Sequence, residues 1–206
     1  VRGLKTMWGG MVFKEIIKKF ESAGYTVTES LLNSAEYGVP QIRHRVFIVG
    51  IQKELNKKFE FPKPEFNKDN YISCEEAIGN LPSLENGELK NSNYAEKPST
   101  NFQKYVMDSN KLFNHEATLH KQFVKDTIAL VPEGGNYKDL PKGVGDSRKF
   151  NEAWTRYHSK KPSRTIDTGH RNHFHYEYHR VPTVRENCRL QSFPDTFEIC
   201  GSKTSQ

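Results

Sequence analysis

The sequence is poor in cysteine and has no long apolar run. Its three cysteines, Cys74, Cys188 and Cys200, include no pair at the CxxC spacing. An odd number without that spacing indicates neither a disulfide framework nor a thiolate zinc site, and a reducing cytosol is the expected setting. No apolar segment approaches the length that spans a bilayer, so no membrane partner is expected. Disulfide-rich secreted proteins and membrane-spanning proteins are therefore disfavoured.

Basic residues outnumber acidic ones. The chain has 31 Lys and Arg against 25 Asp and Glu, a formal net charge of +6. Such an excess suits a polyanionic partner, because phosphates neutralised by protein release their counterions. Many proteins without a nucleic-acid partner carry a similar excess, so charge supports DNA binding only together with motifs. The hydrophobic content of 34% is lean for one compact globule and favours two loosely joined lobes.

The hydrophobic pattern places regular elements near the start of the chain. Apolar residues at helical spacing predict a helix over 11–23, and two apolar runs predict strands over 25–32 and 45–51. These elements are typical of the edge of an α/β sheet. The basic, proline-punctuated stretch 57–64 indicates a linker, and the polar region that follows predicts an irregular α+β lobe with a helix near 119–128.

Two arginines stand where one predicted strand begins. Residues 38–45 read Gly-Val-Pro-Gln-Ile-Arg-His-Arg, and the apolar run Val-Phe-Ile-Val-Gly follows at once, so the strand is predicted to be buried. Alternation along a strand sends Arg43 and Arg45 to the same face. A planar guanidinium there can orient a carbonyl oxygen or a phosphate. A basic pair in water at the edge of a sheet is the alternative interpretation.

A second motif lies near the other end of the chain. Residues 183–197 read Thr-Val-Arg-Glu-Asn-Cys-Arg-Leu-Gln-Ser-Phe-Pro-Asp-Thr-Phe. Thr183 followed three positions later by Glu186 is a capping box, which predicts a helix over 184–191. Arg185 and Arg189 would then share one helical face. Bracing of the two lobes against each other is the simplest role for such a helix, and for Glu186 in particular.

The two motifs in this order resemble the C-terminal half of bacterial DNA (cytosine-5) methyltransferases. The resemblance implies an α/β fold, in which residues 1–58 are the trailing edge of a Rossmann-like methyltransferase sheet. It implies an irregular α+β target recognition domain over 59–178 and a linking helix segment over 179–206 that returns to the catalytic domain. It further implies double-stranded DNA as partner, S-adenosyl-L-methionine as cofactor and the bacterial cytoplasm as location, within a restriction-modification system.

Three elements of that family are absent from the sequence. The Gly-rich loop for S-adenosylmethionine, the Pro-Cys nucleophile and the glutamate of a Glu-Asn-Val segment precede the first motif in the family, and none is present here. We expect them on a missing N-terminal half, with Val1 as the last residue of the Glu-Asn-Val segment. The chain alone is expected to be inactive.

The resemblance assigns roles to residues by position. Arg45 is expected to hold the carbonyl of a flipped cytosine, with Arg43 nearer the DNA backbone and Gln41 ordering the loop. Arg185, Glu186 and Arg189 are expected to organise the domains. The residues expected to contact DNA are Arg164, Thr165, Gly169, His170, Arg171 and Asn172.

A histidine-rich segment allows a different interpretation. On a strand, His173, His175, Glu177 and His179 would line one face, which could hold a divalent metal ion. We expect instead an amphipathic strand that packs its aromatic residues inward, with no metal. Three hypotheses stay open: an excised half of a methyltransferase, a natural subunit of a split methyltransferase, and a DNA-binding module or nuclease with a His-rich metal site.

Overall fold

The computed structural model describes residues 2–85, 94, 96–147, 153–167 and 172–201. The chain divides into two compact units. Unit 1 comprises residues 1–38 and 42–70, and unit 2 comprises residues 39–41 and 71–206. This division into units does not test the functional domains expected over 1–58, 59–178 and 179–206, which stay predictions.

Unit 1 contains the regular elements that the sequence predicts near the start of the chain. The two strands are antiparallel, and their register runs from the pair Tyr25 and Gln52 to the pair Asn33 and His44. The predicted helix and both predicted strands are confirmed within one or two residues. The elements are α1 (Arg2–Thr6), α2 (Met11–Ser22), β1 (Tyr25–Asn33) and β2 (His44–Gln52).

The core of unit 1 is thin. Helix α2 has no buried residue, although its apolar residues recur at helical spacing. Strand β2 was predicted to be buried, and this is wrong, because each of its residues is at least partly exposed. The reason is that a sheet of two strands has few neighbours to cover it. Among the buried apolar side chains of the described residues, Ala35 alone belongs to unit 1.

The connection between β1 and β2 is built by local hydrogen bonds. The side chain of Asn33 accepts hydrogen bonds from the backbone N–H groups of Ala35 (3.5 Å) and Arg43 (3.2 Å), which joins the two ends of the connection. Gly38 has φ 80°, a left-handed conformation that favours glycine, and a Cβ there would lie 3.1 Å from the ring of Phe66.

Unit 2 consists of short elements, in agreement with the predicted irregular lobe. The predicted helix near 119–128 lies at Gln122–Leu130, and the helix after the capping box ends at Arg189, two residues early. Among its described residues, two strands form a short parallel pair. The elements are α3 (Cys74–Ile78), α4 (Asn101–Val106), α5 (Gln122–Leu130), β3 (Thr155–Arg156), β4 (His173–Phe174) and α6 (Val184–Arg189).

Two clusters of buried side chains form the core of unit 2. The larger cluster joins α3 and α4 to the residue that directly follows α6, through Ile78, Val106 and Leu190. The smaller cluster packs Ile128 of α5 against Phe174 of β4. Within the described residues, no helix is both long and apolar enough to cross a membrane.

Candidate nucleic-acid interface

The arginine pair predicted from the first motif lies at the start of β2. Arg43 immediately precedes the strand, and Arg45 pairs with Leu32 of β1. The Arg45 guanidinium donates a hydrogen bond from Nη1 to the backbone carbonyl of His44 at 2.8 Å. This bond orients the side chain, and both arginine residues are partly exposed.

The charges of this pair are close enough to act on each other. Burial and, to a smaller extent, repulsion by Arg45 lower the pKa of Arg43. Across the described part of the chain, no carboxylate lies within ion-pair distance of either guanidinium. The pair therefore forms a local positive site that can donate hydrogen bonds to a carbonyl oxygen or a phosphate.

Gln41 belongs to unit 2, although the arginines that follow it belong to unit 1. It is fully buried and forms a parallel bridge with Ser163. The carbonyl of Pro40 accepts hydrogen bonds from both the backbone N–H (2.9 Å) and the hydroxyl (3.1 Å) of Ser163. The Val-Pro-Gln segment is thus fastened into unit 2, and an ordering role for Gln41 stays a prediction.

Three of the residues predicted to read DNA, Arg164, Thr165 and Asn172, are described by the structure, and they belong to unit 2. Arg164 and Thr165 are exposed, while the neighbouring Ile166 packs against the larger core cluster. The side-chain amide of Asn172 donates to a carboxylate oxygen of Asp167 at 2.6 Å, which ties the two ends of the segment together. Gly169, His170 and Arg171 lie outside the described residues.

The predicted strand over residues 173–179 is wrong beyond its first two residues. Strand β4 covers only His173 and Phe174, and the chain then bends. His175 is buried, and its Nδ1 accepts hydrogen bonds from two backbone N–H groups, whereas Glu177 and His179 are exposed. The common face required for a metal site does not form. In the residues that the structure describes, no three metal-binding side chains cluster.

The cause of this bend is Arg156, which the sequence analysis missed. Its buried guanidinium donates to the backbone carbonyls of His175 (3.2 Å), Tyr176 (3.1 Å) and Glu177 (2.8 Å), which curls the segment around it. It also donates to the carbonyl of Val131 at 3.1 Å. Burial lowers the pKa of Arg156. No local sequence signal marks this role, since the acceptors are backbone groups about 20 residues away.

Arg185 and Arg189, which were predicted to share one face of the helix, are both fully buried. Arg189 donates from Nε and Nη2 to the two carboxylate oxygens of Asp195, at 3.0 and 2.6 Å. Its Nη1 donates to the side chain of Asn80 at 2.6 Å. Arg185 donates to three backbone carbonyls, those of Phe113, Pro194 and Phe197. The sequence analysis gave Asp195 no role. Its place in the second motif, six residues after Arg189, was the signal that could have identified it as the partner of Arg189.

Glu186 forms a buried ion pair with Arg180, a residue that the sequence analysis gave no role. Its two carboxylate oxygens accept from Arg180 at 2.7 and 2.8 Å, and one also accepts from the N–H of Thr183 at 2.7 Å. Burial alone would raise the pKa of Glu186, but Arg180 and His175 outweigh it and hold the pKa well below its usual range. Glu186, Arg185 and Arg189 thus hold segments of unit 2 together, and a role between domains stays a prediction.

Comparison with known proteins agrees with the motifs. Type II methyltransferase M1.HphI from Haemophilus parahaemolyticus is 35% identical over 210 residues, which cover 100% of this chain and 49% of that protein. Type II methyltransferase M.NgoFVII from Neisseria gonorrhoeae is 32% identical over 215 residues, covering 99% of this chain and 50% of that protein. The chain therefore spans about half the length of the curated relatives it matches.

A solved structure shares the fold. An E. coli protein described as a candidate DNA modification methyltransferase encoded within a prophage superposes with a TM-score of 0.67 at 21% identity, covering 92% of this chain and 57% of that one. The family model described as C-5 cytosine-specific DNA methylase matches residues 1–206. The chain belongs to the C-5 cytosine-specific DNA methylase family.

Proposed function

We propose that the chain is the C-terminal half of a bacterial DNA (cytosine-5) methyltransferase of a Type II restriction-modification system. In this proposal residues 1–58 are the trailing edge of a Rossmann-like catalytic sheet, residues 59–178 are the target recognition domain, and residues 179–206 return to the catalytic domain. The chain binds double-stranded DNA, reads a short target and helps to hold a flipped cytosine. The observation that carries the proposal is the Arg43 and Arg45 site, which has no acidic partner among the described residues.

The chemistry of cytosine explains why an arginine is needed there. Carbon 5 of the ring becomes nucleophilic when a nucleophile adds at carbon 6 and the ring carbonyl is polarised. A guanidinium has five N–H donors, of which the bond to His44 uses one in Arg45. The others can donate to the carbonyl of a base that has left the stack. Arg43, beside it, is assigned to a DNA phosphate.

The other half of the enzyme supplies what this sequence lacks. S-adenosyl-L-methionine supplies the methyl group when bound, but the Gly-rich loop expected to hold it and the Pro-Cys nucleophile do not occur here. No residue of this chain is assigned to the cofactor. The half-length coverage of the relatives supports a partner polypeptide segment of similar size. Whether that half is covalently joined or is a separate subunit does not alter these roles.

The experiment is Arg45→Ala in the complete enzyme or in the chain reconstituted with its other half. Transfer of labelled methyl groups to target DNA should fall by roughly 10² to 10³, the effect of removing one positioned donor. Binding to a duplex with an abasic site at the target position should be unchanged, since no base is then held. Lys58→Ala, an exposed charge in unit 1, is the matched control and should change neither. Unchanged methylation in Arg45→Ala would refute the assignment.

A further inference from the structure

A cavity in unit 2 has no role in the function proposed above. Its volume is about 590 Å³, and it lies beside helix α5. This volume falls within the roughly 300–1,000 Å³ typical of small-molecule sites. The lining combines aromatic rings with short polar side chains, among them Phe123, Trp154, Phe174, Thr118, Thr127 and Asn172.

The aromatic part of the lining suits a flat ring. Trp154 and Phe174 lie with their ring centroids 6.4 Å apart and their planes at 39°. Phe123 is 66% exposed, so most of its ring is available to a ligand. Aromatic side chains bind nucleobases by stacking, without regard to which base is present.

The polar part of the lining offers hydrogen-bond acceptors. The hydroxyl of Thr127 donates to the carbonyl of Phe123 at 2.8 Å, which leaves its oxygen able to accept. The amide nitrogen of Asn172 donates to Asp167, which leaves its carbonyl oxygen able to accept. Acceptors beside aromatic rings match a heterocycle that carries an exocyclic amine. The described lining contains no carboxylate or cysteine, so it does not match a metal ion.

The cavity lies next to residues that are proposed to contact DNA. Asn172 lines the cavity and also closes the segment that is proposed to contact DNA. Lys121 and Lys125 flank Phe123 along the chain and can neutralise phosphates of a strand that enters there. We propose that this cavity binds one unstacked nucleobase bearing an exocyclic amine, at a second base site separate from the Arg45 site. This inference rests on the DNA binding proposed above.

Tryptophan fluorescence can report binding in the cavity, because one of the two tryptophans of the chain, Trp154, lines it. Trp8→Phe, an exposed position in unit 1, leaves Trp154 in the cavity wall as the remaining tryptophan. Adenosine, cytidine and ribose 5-phosphate are titrated into this variant under tryptophan-selective excitation. Adenosine and cytidine should quench the emission of Trp154 saturably, and ribose 5-phosphate should not.

Phe123→Ala in the same background should weaken nucleoside binding by roughly tenfold, the loss of one stacking contact. Tyr105→Ala removes an aromatic ring that is 73% exposed and does not line the cavity, and it should leave binding unchanged. Circular dichroism checks that both variants fold. The absence of saturable quenching, or equal quenching in Phe123→Ala, would overturn the proposal.

Binding of a labelled duplex is measured separately by anisotropy. If the duplex binds and nucleosides do not quench, the cavity proposal fails while the proposed function stands. If nucleosides bind and the duplex does not, the cavity is a nucleobase site and the proposed function fails.

Discussion

At the scale of the residue, the arginines of this protein fall into two groups. Arg156, Arg180 and Arg189 are buried, and their donors are used by backbone carbonyls, carboxylates and an amide oxygen of unit 2. Arg43 and Arg45 are partly exposed without an acidic partner among the described residues. A buried charge is costly unless it is paired and hydrogen-bonded. The first group therefore stabilises the fold, and the second is available to a ligand.

Acidification should destabilise unit 2 through His175. Burial lowers the pKa of His175 to about 4 from 6.5, although Glu186 acts in the opposite direction. Because the folded pKa lies below the unfolded one, this stabilisation is complete above about pH 6.5 and is lost as the pH falls toward 4. The loss approaches about 3 kcal/mol at the acid end. Urea unfolding measured across this pH range checks it.

The control for this prediction is His175→Asn. The Asn side chain keeps an acceptor for the N–H groups of Glu177 and Tyr178, which Nδ1 of His175 binds at 3.0 and 3.2 Å, but it does not titrate. The variant should therefore lose stability less steeply with falling pH. A slope equal to that of the unmodified chain would count against the assignment. Burial also lowers the pKa of His115, which acts with the same sign and leaves a residual slope.

At the scale of the element, α6 shows how a six-residue helix can organise a lobe. A helix this short has little intrinsic stability, so tertiary contacts must hold it. Its capping box closes the first turn through Thr183 and Glu186. Arg189 then ties the helix to the carbonyl of Ala77 and the side chain of Asn80, and Asp195 fastens the chain that follows.

Glu186→Gln should destabilise the chain by about 3–5 kcal/mol, because it leaves the buried guanidinium of Arg180 without its counter-charge. The midpoint of chemical denaturation, followed by circular dichroism, measures this loss. Glu75→Gln is the matched control, since Glu75 pairs with Lys160 on the surface. It should cause no measurable change, and an equal effect of the two substitutions would contradict the buried-pair argument.

At the scale of the whole molecule, the two units differ in how much core they contain. Apart from Ala35, the buried apolar side chains of the described residues belong to unit 2. Unit 1 exposes large apolar side chains, such as Trp8 (75%), Met11 (65%) and Phe47 (47%). Burial of apolar area is the main driving force of folding, so unit 1 lacks most of its own stabilisation.

Amide hydrogen exchange should separate the two units. Backbone amides of α2 and β1 in unit 1 should exchange quickly, and those of α3 and α6 in unit 2 should exchange slowly, because opening free energy follows local core packing. Addition of the N-terminal half proposed above should slow exchange in α2 and β1. Mass spectrometry of peptic fragments measures both. Strong protection of α2 in the isolated chain would contradict this account.

The sequence by itself determined the local elements and the family. The predicted helix 11–23, the two strands and the capping box at Thr183 were confirmed, because periodicity and capping act over a few residues. The position of Arg43 and Arg45 at the start of β2 also followed from the sequence, while their shared face stays a prediction.

Only the tertiary structure decided the rest. It showed that residues after Phe174 bend around Arg156, that β2 is half-exposed, and that Gln41 is built into unit 2. These outcomes depend on partners that are distant in sequence, such as Arg189 and Ala77, which are 112 residues apart. Which buried donor finds which acceptor is set by packing of the whole unit, and no local pattern encodes that choice.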